Sequence, residues 1–157
     1  MLSLICVLAV IVMIVSLCIP KKAEQKLFTP PPFDDTATIG SPIVPDELGY
    51  DTLYRDGMAF KVGICGKINV TGKTADIYLT NIEENNVWLK ARFYDAAGNI
   101  IGESGLIKPG EYLKSVELLT VPNSSAQYTI KIMSYEPDTY QSLGAITLTP
   151  KMNIITE

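Results

Sequence analysis

Four side chains that could hold a ligand alternate along one short stretch of the sequence: Trp88, Lys90, Arg92 and Tyr94. Aromatic rings beside cationic groups can stack a sugar ring or hold an anionic polymer, such as a component of a cell wall. The alternative is a solvated face of a β-sheet, on which aromatic residues pair across strands without any ligand. These four residues are the ligand-binding candidates of the sequence, and both interpretations stay open.

Catalytic chemistry has little support in the composition. The chain contains no histidine, which removes the usual general base, the commonest metal ligand and every histidine-dependent triad. Ser104 and Ser115 lack the context of a nucleophile elbow. The carboxylates are dispersed, and residues 83–86 (EENN) do not match the spacing of a calcium loop. We therefore expect no enzymatic activity, no metal site and no cofactor.

Charge and cysteine content narrow the class of protein further. The 157 residues include 13 basic and 17 acidic side chains, so the net charge is −4, which argues against a nucleic-acid partner. Of the three cysteines, Cys6 and Cys18 lie in an apolar N-terminal run. Only Cys65 belongs to the remainder, so no disulfide can form there. This thiol could be reactive, but we interpret it as a small, partly buried side chain.

The ligand candidates require a β-strand to place them on one face. Their neighbours Val87, Leu89, Ala91 and Phe93 form the complementary apolar set, and this period of two predicts one buried and one wetter face. Turn-forming residues at 95–99 (DAAGN) and 108–111 (KPGE) divide residues 87–118 into three strands, which we expect to form a meander.

The same alternation continues on both sides of this stretch. It predicts an inward face formed by Phe60, Val62, Ile64, Ile68, Val70, Ala75, Ile77, Leu79, Tyr128, Ile130 and Ile132. It predicts an outward face formed by Asp76, Tyr78, Thr80, Thr129, Lys131 and Met133. About seven strands with turns every 8 to 12 residues predict an all-β fold, a seven-stranded immunoglobulin-like antiparallel sandwich. Tyr128 follows a turn and fits a tyrosine corner, which is a structural role. We expect one last strand, carrying Ile146 to Ile154, that is broken at Pro150 and therefore lies at an edge or contains a bulge.

The chain begins with an unbroken apolar run from Leu2 to Ile19. As a helix it would span roughly 27 Å, enough for a bilayer core. We predict a transmembrane helix or signal anchor over residues 1–20, with a cleaved signal peptide as the alternative. Lys21, Lys22 and Lys26 follow the run, and the positive-inside rule taken literally would keep the rest of the chain in the cytoplasm.

A proline-rich linker is predicted over residues 21–50, and the β-domain over residues 51–157. Polyproline geometry would make the linker a semi-rigid spacer that reaches on the order of 90 Å. Part of it, Ile39 to Leu48, could instead pack along the domain or dock onto a second copy. The linker and the Thr-, Asn- and Tyr-rich domain are typical of surface proteins, so we expect the domain outside the cell despite its flanking lysines.

Two segments resemble a known group of proteins: residues 80–118, TNIEENNVWLKARFYDAAGNIIGESGLIKPGEYLKSVEL, and residues 131–140, KIMSYEPDTY. They are similar to small membrane-anchored β-sandwich proteins of Gram-positive gut bacteria. Those proteins carry one hydrophobic segment, a short proline-rich spacer and one sandwich domain. The group has no assigned activity or ligand, so the resemblance implies a fold and a location and contributes no functional residue.

These observations predict a single-pass, membrane-tethered extracellular module that binds or adheres and has no catalytic activity. Its partner would be a cell-wall component or a protein. The alternative is a structural subunit of a surface or envelope assembly, in which an edge strand or the linker pairs with a neighbouring chain.

Overall fold

The computed structural model describes residues 28–54, 60–123 and 126–155. The predicted transmembrane helix and the first seven residues of the predicted linker lie outside these ranges. Eleven strands form there, more than the seven expected, because several are short and the predicted linker supplies β1 and the first residue of β2. They are β1 (Thr38–Ile39), β2 (Tyr50–Leu53), β3 (Val62–Cys65), β4 (Lys67–Thr71), β5 (Thr74–Asn81), β6 (Trp88–Tyr94), β7 (Ile100–Glu103), β8 (Glu111–Glu117), β9 (Thr129–Tyr135), β10 (Ser142–Leu148) and β11 (Lys151–Ile155).

The strands build two sheets, so the all-β prediction is confirmed and the architecture is consistent with a β-sandwich. The smaller sheet has the antiparallel order β10-β9-β6-β7. The larger sheet has the order β1-β8-β5-β3-β2, and β4 also pairs with β5. In this larger sheet β11 runs parallel to β4, whereas the other pairs are antiparallel.

The core lies between the two sheets and follows the predicted alternation. On β6, Leu89, Ala91 and Phe93 are fully buried, and their partners across the β6–β9 ladder include Ile130 and Ile132. The larger sheet contributes the remaining predicted inward residues: Phe60, Val62, Ile64, Ile68, Val70, Ala75, Ile77 and Leu79. Burial of this apolar surface is the main force that holds the two layers together.

The predicted three-stranded meander is wrong for its third strand. β6 and β7 form a hairpin, but β8 crosses to the larger sheet and pairs with β5 and β1. One isolated bridge, Gly102 with Leu118, still joins the end of β8 to β7. In the larger sheet, β8 contributes Leu113 and Val116 to the core between the two layers.

The predicted last strand is two strands in opposite sheets. β10 pairs with β9 in the smaller sheet, and after Pro150 the chain crosses over so that β11 pairs with β4 in the larger one. Proline cannot donate a ladder hydrogen bond, and here it lies at the crossing between the two sheets.

Residues of the predicted linker take part in the larger sheet. Thr38 and Ile39 pair with β8, and Tyr50, the last linker residue, begins β2 and pairs with Cys65 of β3. Leu48 is buried and, with Val44 and Tyr50, covers Tyr78 on the outer surface of this sheet. Along Ile39 to Leu48 the packing is selective, because Ile39 and Ile43 are almost fully exposed. The domain boundaries at residues 20 and 50 stay a prediction.

Because this segment covers β5, two residues of β5 that were predicted to be exposed are buried. Tyr78 and Thr80 were expected to point to solvent, and both are buried. Tyr78 lies at a register shift in the β5–β8 ladder with a φ of 48°, a conformation that a side chain other than glycine rarely adopts. The phenol of Tyr50 donates a hydrogen bond to the Thr80 hydroxyl at 2.8 Å, which satisfies this buried polar group.

Candidate functional site

The outer face of the smaller sheet carries all four ligand candidates. Trp88, Lys90, Arg92 and Tyr94 alternate with the buried residues of β6, so they share the face that points away from the core. Strand register then decides which side chains of other strands stand next to them, because directly paired residues lie on the same face.

Arg92 lies in a row of charged residues across this face. It is paired with Glu103 on β7 and with Lys131 on β9, and Lys131 is in turn paired with Thr147 on β10. Lys131 is exposed. The sequence places Lys131 on an outward face, but only the register brings it beside Arg92. We name these two residues the cationic row.

Glu103 binds two of the cations on this face. One carboxylate oxygen lies 3.1 Å from Lys90 Nζ, and the other accepts a hydrogen bond from Arg92 Nε at 2.9 Å. Partial burial pushes the pKa of Glu103 upward, but hydrogen bonds and charge attraction from Lys90 and Arg92 outweigh it and hold the pKa below its ordinary value. Burial lowers the pKa of Arg92, but hydrogen bonds to Tyr94 and Glu103 reverse this and raise it.

The exposure of Lys90 differs from the prediction. Lys90 points away from the core as expected, but only 5% of the residue is exposed, so the expectation of a solvated side chain is wrong here. Its cross-strand neighbour Met133 is also buried, and its ammonium group is neutralised by Glu103. A buried lysine needs such a partner, because desolvating an unpaired charge costs several kcal/mol.

Trp88 is engaged by other aromatic rings. Phe33 meets it edge-on at a centroid distance of 4.8 Å, Tyr140 contacts it at 5.2 Å, and Phe28 contacts Tyr140 at 6.0 Å. The ammonium of Lys108 lies 4.7 Å above the Phe33 ring, within cation–π range. We name Phe28, Phe33, Trp88 and Tyr140 the aromatic cluster. Sequence reasoning missed it because its members come from three distant segments.

The serines considered as nucleophiles, Ser104 and Ser115, lie at the same cavity. Ser104 accepts a hydrogen bond from the Ala91 N–H at 2.9 Å and donates one to the Gly105 carbonyl at 2.7 Å. Ser104 and Ser115 line an open polar cavity of about 310 Å³, together with Asp34, Glu103 and Glu117. Each of these carboxylates is already bonded within the chain: Asp34 to Gly105 and Thr36, Glu103 to its two cations, and Glu117 to Thr74.

Cys65 lies beside a separate, mostly apolar cavity of about 200 Å³ near Leu53, Ile64, Ile130 and Leu148. Burial, with a smaller contribution from the charge of Asp76, raises the pKa of the Cys65 thiol to about 11. The thiol therefore stays protonated at neutral pH, which agrees with a core residue and disfavours a nucleophile.

The asparagines of the β5–β6 connection serve the fold. Buried Asn81 donates hydrogen bonds to the carbonyls of Val87 and Ile107 at 2.8 and 3.0 Å, and it accepts one from Asn85. Asn85 also donates to the Lys61 carbonyl and accepts from the Lys61 N–H. Among residues 28–54, 60–123 and 126–155 there is no cluster of three or more acidic or thiol groups that could hold a metal ion.

Comparison with models of known protein families finds no match, and comparison with curated protein sequences finds none either. Within the part of the chain that the structure describes, no helix has the length and apolar character needed to span a membrane. The apolar run from Leu2 to Ile19 lies outside that part.

Proposed function

We propose that this chain is a single-pass, membrane-tethered binding module of the cell surface, with an immunoglobulin-like domain and no catalytic activity. The N-terminal apolar run supports the membrane anchor, as does the resemblance to anchored sandwich proteins of Gram-positive bacteria. The binding surface would be the outer face of the smaller sheet.

Two observations favour the immunoglobulin-like assignment. The order β10-β9-β6-β7 in one sheet and the adjacency of β8, β5 and β3 in the other match the layered connectivity of that class. Tyr128, at the turn before β9, accepts a hydrogen bond from the backbone N–H of Asn123 at 2.6 Å. This is the geometry of a tyrosine corner, in which a buried tyrosine bonds back to the chain a few residues upstream.

The local charge of the proposed binding face carries the functional proposal. Lys90 is buried, so Arg92 and Lys131 are the cations that reach the surface there. Together with Lys90 they outnumber the single carboxylate of Glu103, which makes the middle of this face net positive on a chain whose net charge is −4. Tyr94 and Tyr135 flank these charges as partly exposed aromatic residues on the same face. Cations beside aromatic rings suit a polyanionic sugar or polyol phosphate polymer.

Binding of the full chain, in detergent, to purified polyglycerol phosphate and to a neutral polysaccharide tests this proposal. We expect binding to the polyanion alone, with an affinity that falls as salt rises. Lys131→Gln should weaken binding about fivefold, equivalent to about 1 kcal/mol for one exposed charge contact. The matched control is Lys114→Gln, because Lys114 is exposed on β8 of the other sheet.

Two results would reject the proposed face. One is equal binding to both polymers, and the other is an equal loss of affinity in the Lys131 and Lys114 variants. The circular dichroism of each variant, unchanged from wild type, would exclude unfolding as the cause.

The structural-subunit alternative rests on the free side of β10. In the described ranges this strand pairs with β9 alone, and its seven residues, SLGAITL, contain neither charge nor proline. Exposed edges of this kind are templates for another strand. Light scattering of the full chain would support this function by revealing a dimer that Leu143→Lys converts to monomer. A monomeric wild type would dismiss it.

A further inference from the structure

Residues 32–34 are hydrogen-bonded to one end of the sandwich. The backbone of Pro32 and Asp34 exchanges hydrogen bonds with Leu106, and the Asp34 carboxylate accepts one from the Gly105 N–H at 2.8 Å. These contacts hold Phe28 and Phe33 beside Tyr140 and Trp88 in the aromatic cluster.

The topology identifies which end this is. Trp88 is the first residue of β6 and pairs with Tyr135, the last residue of β9. Tyr140 follows in the turn that connects β9 to β10, and Lys108 lies in the connection that leads to β8. The cluster therefore occupies the end of the domain where β6, β8 and β10 begin. Val121 follows the other end of β8, so it marks the opposite end of the domain.

Chain length restricts how far this end can be from the anchor. The apolar run ends at Ile19 and Phe28 lies in the aromatic cluster, so nine residue steps (28 − 19) separate the run from the cluster. Nine steps span at most roughly 30 Å even when the chain is fully extended. The spacer reach that the linker sequence suggested is not available, because β1, Leu48 and β2 hold this part of the chain on the domain.

We infer that the aromatic cluster and Lys108 form a docking surface for the membrane–water interface of the bilayer that the anchor spans. This inference rests on the proposed membrane anchor. The membrane would then contact the cluster end, and the opposite end would face away from the membrane.

The chemistry of this end fits an interfacial contact. Phe28 is 65% exposed and Phe33 is 39% exposed, so apolar surface is available at the place closest to the lipid. Tryptophan and tyrosine are enriched where an apolar body meets wet headgroups, and lysine can extend its ammonium to a lipid phosphate. Glu136 and Asp138 lie in the Tyr140 turn. Because these carboxylates offset the lysine, contact by the aromatic rings and not net charge drives docking.

Docking in this pose leaves the cationic row accessible. Arg92 lies four residues along β6 from Trp88, which corresponds to roughly 13 Å at the rise of an extended strand. The proposed polymer-binding face would then stand upright on the membrane, beyond the headgroup layer and next to the cell wall.

Trp88 is the only tryptophan in the chain and reports directly on this contact. The full chain is reconstituted into phosphatidylcholine vesicles that carry a spin label on the lipid headgroup in both leaflets, so insertion direction does not matter. We expect the label to quench Trp88 fluorescence. In the double variant Phe28→Ser, Phe33→Ser, most of that quenching should be lost. High salt should leave the quenching unchanged.

The matched control moves the fluorophore to the opposite end, in the chain Trp88→Phe with Val121→Trp. Val121 is already more than half exposed, and we expect little quenching from this control chain. Vesicles that float with the chain but quench both fluorophores equally, or neither, would overturn the docking surface while leaving the anchor intact. A chain that does not float with the vesicles would reject the anchor itself and the docking surface with it.

Discussion

At the scale of single residues, one carboxylate organises the candidate binding face. Glu103 neutralises Lys90, which is almost fully buried, and orients Arg92 in the cationic row. We expect Glu103→Gln to lower the free energy of unfolding by roughly 1–3 kcal/mol, because it leaves the buried ammonium without its counter-charge. Lys90→Met should cost much less, since it replaces a buried charge by an apolar group of similar length. Urea unfolding of both variants measures this difference, and equal costs would contradict it.

The same carboxylate predicts a pH dependence. The pKa of Glu103 is lowered on folding, so its contribution to stability is present above the ordinary glutamate value of 4.5 and is lost as the pH falls through the folded-state pKa. The difference in unfolding free energy between wild type and Glu103→Gln should therefore be constant near neutral pH and shrink below about 4.5. A difference that stays constant down to pH 3 would contradict the assigned pKa shift.

At the scale of elements, the N-terminal segment, residues 28–48, packs against the two sheets at two places. It covers the larger sheet through Leu48 and crosses the β7–β8 connection at Gly105. A Cβ on Gly105 would lie 2.6 Å from the Asp34 Cα, and both are parts of packed backbone that cannot move independently. Gly105→Ala should therefore displace the segment around Phe33 and shift Trp88 emission to longer wavelength, because Phe33 no longer covers the indole.

Limited chymotrypsin digestion checks the same displacement independently. Cleavage after Phe28 or Phe33 should be faster in Gly105→Ala than in wild type, because a released segment fits a protease more easily. Gly66→Ala is the control, since a Cβ there meets one backbone oxygen at an ordinary 3.4 Å. Unchanged cleavage and unchanged Trp88 emission in Gly105→Ala would show that the crossing tolerates a methyl group.

At the scale of the whole molecule, two features of the sequence oppose each other on topology. Lys21, Lys22 and Lys26 favour a cytoplasmic domain by the positive-inside rule. The proline-rich spacer and the Thr-, Asn- and Tyr-rich domain are instead typical of surface proteins. We predict the outside arrangement. Alkaline phosphatase fused to the C-terminus should be active and a cytoplasmic fluorescent reporter at the same position should be dark. The reverse pattern would end the proposal of a cell-wall ligand and would leave the fold unaffected.

The sequence alone determined the inward faces of β6 and β9. Alternation along residues 87–94 and 128–132 identified Leu89, Ala91, Phe93, Ile130 and Ile132 as core residues, and all of them are buried. It also indicated the tyrosine corner at Tyr128, because that motif depends on residues five positions apart. These features could be predicted because a β-strand turns its side chains by a fixed local rule, whichever partner it later finds.

Only the tertiary structure decided which strands became neighbours. The crossing of β8, the division of the last strand at Pro150 and the pairing of Arg92 with Lys131 all depend on partners far away in sequence. The burial of Lys90 and the covering of Trp88 by Phe33 have the same origin. Asp34 and Gly105, which fasten the N-terminal segment, are separated by 71 positions. No local pattern encodes such a pair, because each contact forms only when burial of the common core brings both segments to the same place.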